Sequence, residues 1–179
     1  NRSELTIKNI IEFADCVKIE DVKDILDNQI RCNTAISNEG LKNSYGANVG
    51  KVLLNYYGND IKVRAKAVAA AGSDARMSGC EMPVIINSGS GNQGMTASLP
   101  VIEYAKELHV EPDLLYRALL VSNLTTIHLK TGIGKLSAYC GAVSAGAGAG
   151  AGIAYLLGGR FEEIAHTIVN ALAITSGIV

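Results

Sequence analysis

Residues Ser137–Leu157 read SAYCGAVSAGAGAGAGIAYLL, a run made mostly of glycine and alanine. Each glycine costs a helix roughly 1 kcal/mol relative to alanine, so this composition is a poor choice for a helix that faces solvent. Burial against other helices, or the close approach of a ligand, would offset the cost, because small side chains let backbones come close together. We therefore predict that this segment is a buried helix at the centre of the fold.

The same apolar stretch, counted from Leu136 to Gly159, is about as long as a segment that crosses a membrane. Few of its residues are large and apolar, however, and glycine and alanine contribute little to the free energy of membrane insertion. We therefore predict a helix that is buried in protein, and no contact with a membrane.

Apolar residues recur at helical spacing through most of the remaining chain. The predicted helices, in chain order, are Ser3–Cys16, Glu20–Ser37, Val49–Tyr57, Asp60–Ala71, Ala97–Leu108, Pro112–Leu129 and Phe161–Ser176. Ser3 and Asp60 are predicted N-caps, and Gly72-Ser73-Asp74 is predicted to end the fourth helix. One β-branched run, Pro83–Ile86, is predicted to be extended. The sequence thus predicts a mainly α fold, a multi-helix domain around a central Gly/Ala-rich helix.

Length, charge and cysteine content limit the class of protein. The 179 residues fit one helical domain over 1–179, and the apolar run Ala171–Val179 at the end predicts that this domain belongs to a longer polypeptide that could form a homo-oligomer. A net charge of −1 without a basic stripe argues against nucleic-acid binding. The four cysteines form no Cys-x-x-Cys pair and no signal peptide opens the chain, so we expect a reduced, cytoplasmic setting.

The glycine-rich stretch Asn87–Thr96 lies between the extended run and a helix N-terminus, where backbone amides and the helix dipole favour an anion. It matches Gly-x-Gly-x-x-Gly, but the chain lacks the strands of a dinucleotide-binding fold, and no Lys-Ser/Thr follows as in a phosphate loop. An ordinary glycine-rich connection is the alternative. The predicted substrate-binding residues are Asn87, Ser88, Gly89, Ser90, Gly91, Asn92, Gln93, Gly94 and Thr96.

Other candidates for chemistry lie around the start of the Gly/Ala run. Cys140 could ligate a metal beside close-packed glycines, although a small buried thiol is the commoner role of a free cysteine. His128, Lys130 and Lys135 could bind or protonate an anion, or could simply be cations at a helix C-terminus. Asp74-Ala75-Arg76 is either an ion pair or a substrate-binding element. Two further cysteines, Cys16 and Cys32, lie on apolar helix faces and are predicted to be core residues.

Several segments taken together resemble the serine dehydratase-like family of L-cysteine desulfidases and, more distantly, the α domain of bacterial iron–sulfur L-serine dehydratases. The segments that carry the resemblance are Asn33–Ile36, Tyr45–Lys51, Ala70–Cys80, Asn87–Gly94 and Thr131–Gly141. The similarity extends over nearly the whole chain, and the joint occurrence of these segments is more specific than any one of them. The resemblance implies a β-eliminating lyase that converts L-cysteine to pyruvate, ammonia and sulfide, or L-serine to pyruvate and ammonia.

The resemblance also implies a [4Fe–4S] cluster, held by three cysteines with one iron open as a Lewis acid, and no pyridoxal phosphate. Cys140 matches one cluster ligand, and the glycine-rich stretch would bind the carboxylate or the amine of a small amino-acid substrate. In the family the other cluster cysteines follow the segment that matches Ser176–Val179, and an N-terminal portion with a proposed catalytic cysteine has no counterpart here. This chain alone is therefore expected to bind no cluster and to be inactive. The alternative is a non-catalytic helical domain that binds small anions or mediates assembly.

Overall fold

The computed structural model describes residues 4–132 and 141–176, apart from the side chain of Ser176. These ranges form eight α-helices and a 3₁₀ turn, Ile19–Asp21, and they contain no β-strand. The helices, in chain order, are α1 (Ile7–Cys16), α2 (Lys23–Lys42), α3 (Val49–Tyr57), α4 (Ile61–Met77), α5 (Gly91–Glu107), α6 (Pro112–Thr131), α7 (Ala142–Leu156) and α8 (Phe161–Ser176). The predicted mainly α fold is confirmed.

The Gly/Ala-rich helix α7 is central, as predicted, and packs against α5, α6 and α8. It approaches α6 so closely that a Cβ atom at Gly148 would overlap Oγ1 of Thr126 and lie 2.6 Å from the carbonyl oxygen of Ser122. A Cβ atom at Gly152 would lie 2.8 Å from the carbonyl oxygen of Ala118. Dispersion contacts made at this short range offset the poor helix propensity of glycine.

Helix α5 shares the central position, which the sequence did not predict. It packs against α2, α4, α6 and α7, and Met95, Val101 and Ile102 on it are almost completely buried. Pro100 lies within α5 and leaves the carbonyl group of Thr96 without its usual helical partner, yet the helix continues to Glu107. The fold is therefore built around two packed helices.

In residues 4–132 and 141–176, no helix is both long enough and apolar enough to cross a bilayer.

Helix α4 continues to Met77, so the prediction that Gly72-Ser73-Asp74 ends it is wrong. Gly72 is buried, and a Cβ atom there would lie 2.7 Å from Sδ of Met95 on α5. The glycine allows α4 and α5 to pack closely, and this contact compensates for the helix propensity that glycine lacks. Helix α2 likewise runs past its predicted end, to Lys42.

Helix α5 begins at Gly91, six residues before the predicted start at Ala97. Ser90 is its N-cap, and Oγ of Ser90 accepts a hydrogen bond from the backbone amide of Gln93 at 3.3 Å. Serine is a favoured N-cap because its oxygen satisfies an amide that has no partner within the helix. The second half of the glycine-rich stretch is therefore the first turn of α5.

Two predicted helix caps have different outcomes. Asp60 caps α4 as predicted, and its carboxylate accepts a hydrogen bond from the amide of Lys62 at 2.9 Å. Helix α1 begins at Ile7 and is capped by Thr6, whereas the predicted cap Ser3 lies outside the described residues.

Candidate functional site

The glycine-rich stretch forms a tight entry into α5. A Cβ atom at Gly94 would overlap the carbonyl oxygen of Ile85, and one at Gly91 would lie 2.6 Å from Nε of Arg76 and 3.1 Å from Val84. Both glycines therefore let the first turn of α5 pack against the segment that precedes it. Gly89, in contrast, is exposed on the loop before the helix.

Gln93 is the most deeply buried polar side chain of this stretch, with 2% of its surface exposed. Its Oε1 accepts hydrogen bonds from the backbone nitrogen of Ser88 at 3.0 Å and from Oγ of Ser88 at 3.3 Å. Its Nε2 is buried and has no hydrogen-bond partner among the described residues. A Cβ atom at Gly141, the residue before α7, would lie 2.8 Å from this nitrogen. Gln93 therefore joins the glycine-rich stretch to the start of α7.

The segment that leads into the glycine-rich stretch is held by Asn33 of α2. Pro83–Ile86 forms neither helix nor strand, but Oδ1 of Asn33 accepts a hydrogen bond from the amide of Ile85 at 2.9 Å. Nδ2 of Asn33 donates to the carbonyl of Ile85 at 3.3 Å and to Oγ of Ser98 at 3.0 Å. The fully buried asparagine thus satisfies both the amide and the carbonyl of Ile85, as the backbone of a neighbouring strand would. Its bond to Ser98 also fixes this segment against α5.

A second set of amides holds the start of the stretch. Gln29 of α2 and Asn123 of α6 pair through both of their amide groups, with Nε2 to Oδ1 at 3.1 Å and Nδ2 to Oε1 at 2.8 Å. Nδ2 of Asn87 then donates to the backbone carbonyl of Asn123 at 3.2 Å. Three helices, α2, α5 and α6, therefore determine where the glycine-rich stretch lies.

Asp74 and Arg76 do not form an ion pair with each other. The carboxylate of Asp74 accepts a hydrogen bond at 2.7 Å from the amide of Val49, the first residue of α3, and so caps that helix. Arg76 lies against the first turn of α5, and its Nη1 donates to Oδ1 of Asn92 at 3.1 Å. The two residues thus stabilise different helix N-termini, and only Arg76 lies beside the glycine-rich stretch.

The candidate cations lie at the C-terminal end of α6. Lys130 is buried, with 8% of its surface exposed, and it forms no ion pair with any described residue. His128, two residues earlier in α6, is half-buried. Lys135 and Cys140 lie outside the described residues, between the end of α6 and Gly141. Lys130 is the only charged side chain that is buried in residues 4–132 and 141–176, which makes it the strongest of these candidates.

The described cysteines do not make a cluster site. Cys32 is buried as predicted, but Cys16 is exposed at the end of α1, so its predicted place in the core is wrong. Cys80 is half-buried near Tyr45, whose hydroxyl donates to Glu39 at 2.9 Å, and this bond, with a smaller contribution from Cys80, raises the pKa of Tyr45 to about 12. No group of three His, Cys, Asp or Glu side chains within the described ranges could hold a metal ion.

Thr96 lies apart from the other predicted substrate-binding residues. Its hydroxyl donates to the carbonyl of Asn92 at 2.9 Å, within α5. Its side chain lines a groove of about 540 Å³ between α4, α5 and α7, together with Pro100, Gly146 and Gly150. Asn33, Gln29 and Asn123 were not predicted to hold the stretch, although buried amides on otherwise apolar helix faces are a signal that could have found them.

The amino-acid sequence is similar to one protein family and to several known bacterial proteins. A model of the family described as serine dehydratase alpha chain matches residues 4–179. UPF0597 proteins of Desulfitobacterium hafniense, Treponema denticola and Aeromonas hydrophila are 71%, 51% and 40% identical to the chain. The alignments cover 99 to 100% of this chain but 42% of each relative, so the chain spans less than half of their length. No solved structure matches the chain.

Proposed function

Because this chain belongs to the serine dehydratase alpha chain family, we propose that the full-length protein is a lyase that removes the β substituent of a small α-amino acid. L-Cysteine would yield pyruvate, ammonia and sulfide, and L-serine would yield pyruvate and ammonia. In this proposal the chain provides the substrate-binding part of the active site and is inactive alone, since it spans 42% of its relatives.

The contact between Gln93 and Gly141 is the observation that carries the proposal. The resemblance assigned the glycine-rich stretch to the substrate and Cys140 to the cofactor. Gln93 belongs to the first of these segments, and it lies against the residue directly after Cys140. A single reaction centre requires that the substrate-binding and cofactor-binding segments be neighbours, and this contact supports that arrangement.

In this proposal, side chains at the C-terminal end of α6 carry out the proton transfer. A base removes the proton from Cα, the electrons of that bond form the Cα–Cβ double bond, and the leaving group departs from Cβ with its electron pair. The resulting aminoacrylate takes up a proton, and water hydrolyses the imine to pyruvate and ammonia. Lys130 is our first candidate for the base, because it is a buried amine with no acidic partner among the described residues, and such a group is suited to proton transfer. His128 and Lys135 are the alternatives.

The described residues alone do not fit an iron–sulfur cluster, because their cysteines do not form a ligand set. A [4Fe–4S] cluster in the full-length protein nevertheless belongs to the proposal, with Cys140 as the ligand from this chain and the other ligands from the rest of the polypeptide. Such a cluster, when bound, supplies a Lewis acid. We propose that the reaction does not use pyridoxal phosphate.

The test is anaerobic reconstitution of the full-length protein with iron and sulfide. We expect visible absorbance typical of an iron–sulfur centre, and pyruvate production from L-cysteine or L-serine. A protein that takes up no iron and yields no pyruvate from either amino acid would contradict the proposal.

The alternative function is a non-catalytic domain that binds small anions. The pyruvate assay, together with a thermal-unfolding measurement on the same protein, distinguishes it from the lyase. The alternative predicts that small carboxylates stabilise the full-length protein against thermal unfolding while neither amino acid is turned over. The buried Nε2 of Gln93, which has no partner within the described ranges, is compatible with this alternative, since a hydrogen-bond donor suits a bound anion whether or not a reaction follows.

A further inference from the structure

We infer that Gln93 and the N-terminus of α7 bind the carboxylate group of the ligand, and that the amine of an amino-acid substrate is held elsewhere. This inference rests on the proposed substrate class and deepens it. The resemblance left open whether the glycine-rich stretch takes the carboxylate or the amine, and the polarity of the groups at this site decides between them.

The first observation is the side-chain amide of Gln93, whose Nε2 finds no partner in the part of the chain that the structure describes. Its Oε1 is already occupied by two hydrogen bonds from Ser88, so the orientation of the amide group is fixed and Nε2 is the atom left over. A buried donor without a partner costs about 1–3 kcal/mol. A ligand atom that accepts a hydrogen bond would recover that free energy, whereas an ammonium group, which only donates, would not.

The second observation is the helix that Nε2 faces. Helix α7 has 15 residues, its N-cap is Gly141, and no side chain of residues 4–132 or 141–176 is seen to cap it. The amides of its first turn, at Ala142, Val143 and Ser144, have no acceptor within the described residues. Unsatisfied amides and the helix dipole together give this end a positive potential, which attracts an anion and repels an ammonium group.

The third observation is the glycine at position 141, where the side chain of Gln93 meets the N-terminus of α7. A Cβ atom at Gly141 would lie 2.8 Å from Nε2 and 3.1 Å from Cδ of Gln93, so any other residue there would displace the amide. Glycine at position 141 thus keeps the side-chain amide of Gln93 beside the backbone amides of α7. Two independent sets of donors from α5 and α7 therefore lie next to each other, a combination that suits the two oxygens of a carboxylate.

The experiment uses the full-length protein and three probes of similar size: propionate, propionamide and propylammonium. We expect propionate to raise the midpoint of thermal unfolding in a saturable manner, and the neutral amide and the cation to have little effect. An equal shift by propionamide or by propylammonium would overturn the inference. This comparison needs no variant, so it holds even if a substitution at Gln93 impairs folding.

The Gln93→Glu variant then tests the residue itself. Glutamate keeps the acceptor for Ser88 but replaces the donor by a second carboxylate oxygen, so we expect propionate to bind about 10- to 100-fold more weakly. Asn28→Asp, on the exposed surface of α2, adds the same charge and should leave propionate binding unchanged. Unaltered propionate affinity in Gln93→Glu would overturn the inference.

The failure of this inference and the failure of the proposed function give different results. If L-cysteine and L-serine are both inert but propionate stabilises the protein through Gln93, the lyase proposal fails and the carboxylate site stands. If the protein produces pyruvate and Gln93→Glu binds propionate as the wild type does, the lyase proposal stands and this site is wrong.

Discussion

Two glycines of α7 should respond to alanine in opposite ways, although they are only two residues apart. Gly146 is exposed, and no described atom outside the backbone of its own helix lies within 4 Å of the position that a Cβ atom would take. At Gly148 the same atom would overlap Oγ1 of Thr126 and lie 2.6 Å from the carbonyl oxygen of Ser122. Alanine substitutions at these two positions therefore measure the effect of helix propensity and the effect of helix packing separately, within one helix.

The expected magnitudes follow from these contacts. Alanine favours a helix over glycine by about 1 kcal/mol, and this gain is the whole effect expected for Gly146→Ala. At Gly148 the gain is opposed by overpacking, which costs about 1–3 kcal/mol. The cost should reach the upper end of that range, because the oxygen of Ser122 belongs to the backbone of α6 and cannot rotate away. We therefore expect a net loss of about 2 kcal/mol for Gly148→Ala.

Urea denaturation, followed by the circular dichroism of the helices, would measure both free energies of unfolding against the wild type. Gly152→Ala serves as a second buried case, since its Cβ atom would lie 2.8 Å from the carbonyl oxygen of Ala118. It should be destabilised in the same direction as Gly148→Ala. If Gly146→Ala and Gly148→Ala changed stability equally, close packing against α6 would not be the reason for glycine in this helix.

Three further predictions concern single side chains. Asn33→Ala should cost at least about 2 kcal/mol more in urea denaturation than Ser37→Ala, because it removes three hydrogen bonds, two to the backbone of Ile85 and one to Ser98, whereas Ser37 makes one described bond, to Val68; equal losses would contradict this role. Burial, and a hydrogen bond to Asp15, raise the pKa of Tyr155 to about 12, so its stabilising contribution should be complete below its ordinary pKa near 10 and lost as the pH rises through 12. Tyr155→Phe should therefore weaken the decline of thermal stability over that range, and an unchanged decline would refute it. Lys130→Met should lower kcat for pyruvate formation by about 10²-fold or more if this residue is the base, while Lys106→Met, an exposed change beside Glu103, should not; full activity of Lys130→Met would exclude it.

Much of the fold follows from the sequence because helical spacing of apolar residues is a local signal. The bounds of α3 and α8 agree with their prediction, and the central place of α7 follows from its glycine and alanine content. The errors arose where a glycine serves packing between helices. Gly72 in α4 and Gly91 in α5 resemble helix breakers in sequence, but both are explained by atoms of distant residues, Met95 and Arg76.

The site was only partly predictable for the same reason. The glycine-rich stretch is recognisable from its composition, but the side chains that hold it come from α2 and α6. Asn123 contacts it directly, and Asn33 holds the segment just before it, at Ile85. Both asparagines are far away in the chain, and no local sequence pattern relates residues at such separations. The neighbourhood of Gln93 and Gly141 likewise depends on how α5 packs against α7, which the sequence of either helix alone does not state.

The way in which the glycine-rich stretch is held bears on whether it could be transplanted into another protein. A phosphate-binding loop can be moved between scaffolds with the strand and helix that flank it, because its own backbone amides supply most of its shape and its ligand contacts. The stretch described here depends on Asn33 for the backbone of Ile85, and on Asn123 for Asn87. A graft of residues 83–96 alone would transfer the glycines but lose the hydrogen bonds that fix their backbone conformation. The smallest unit that could be transferred includes the facing parts of α2 and α6, and of α7 if the amide of Gln93 is to keep its neighbour.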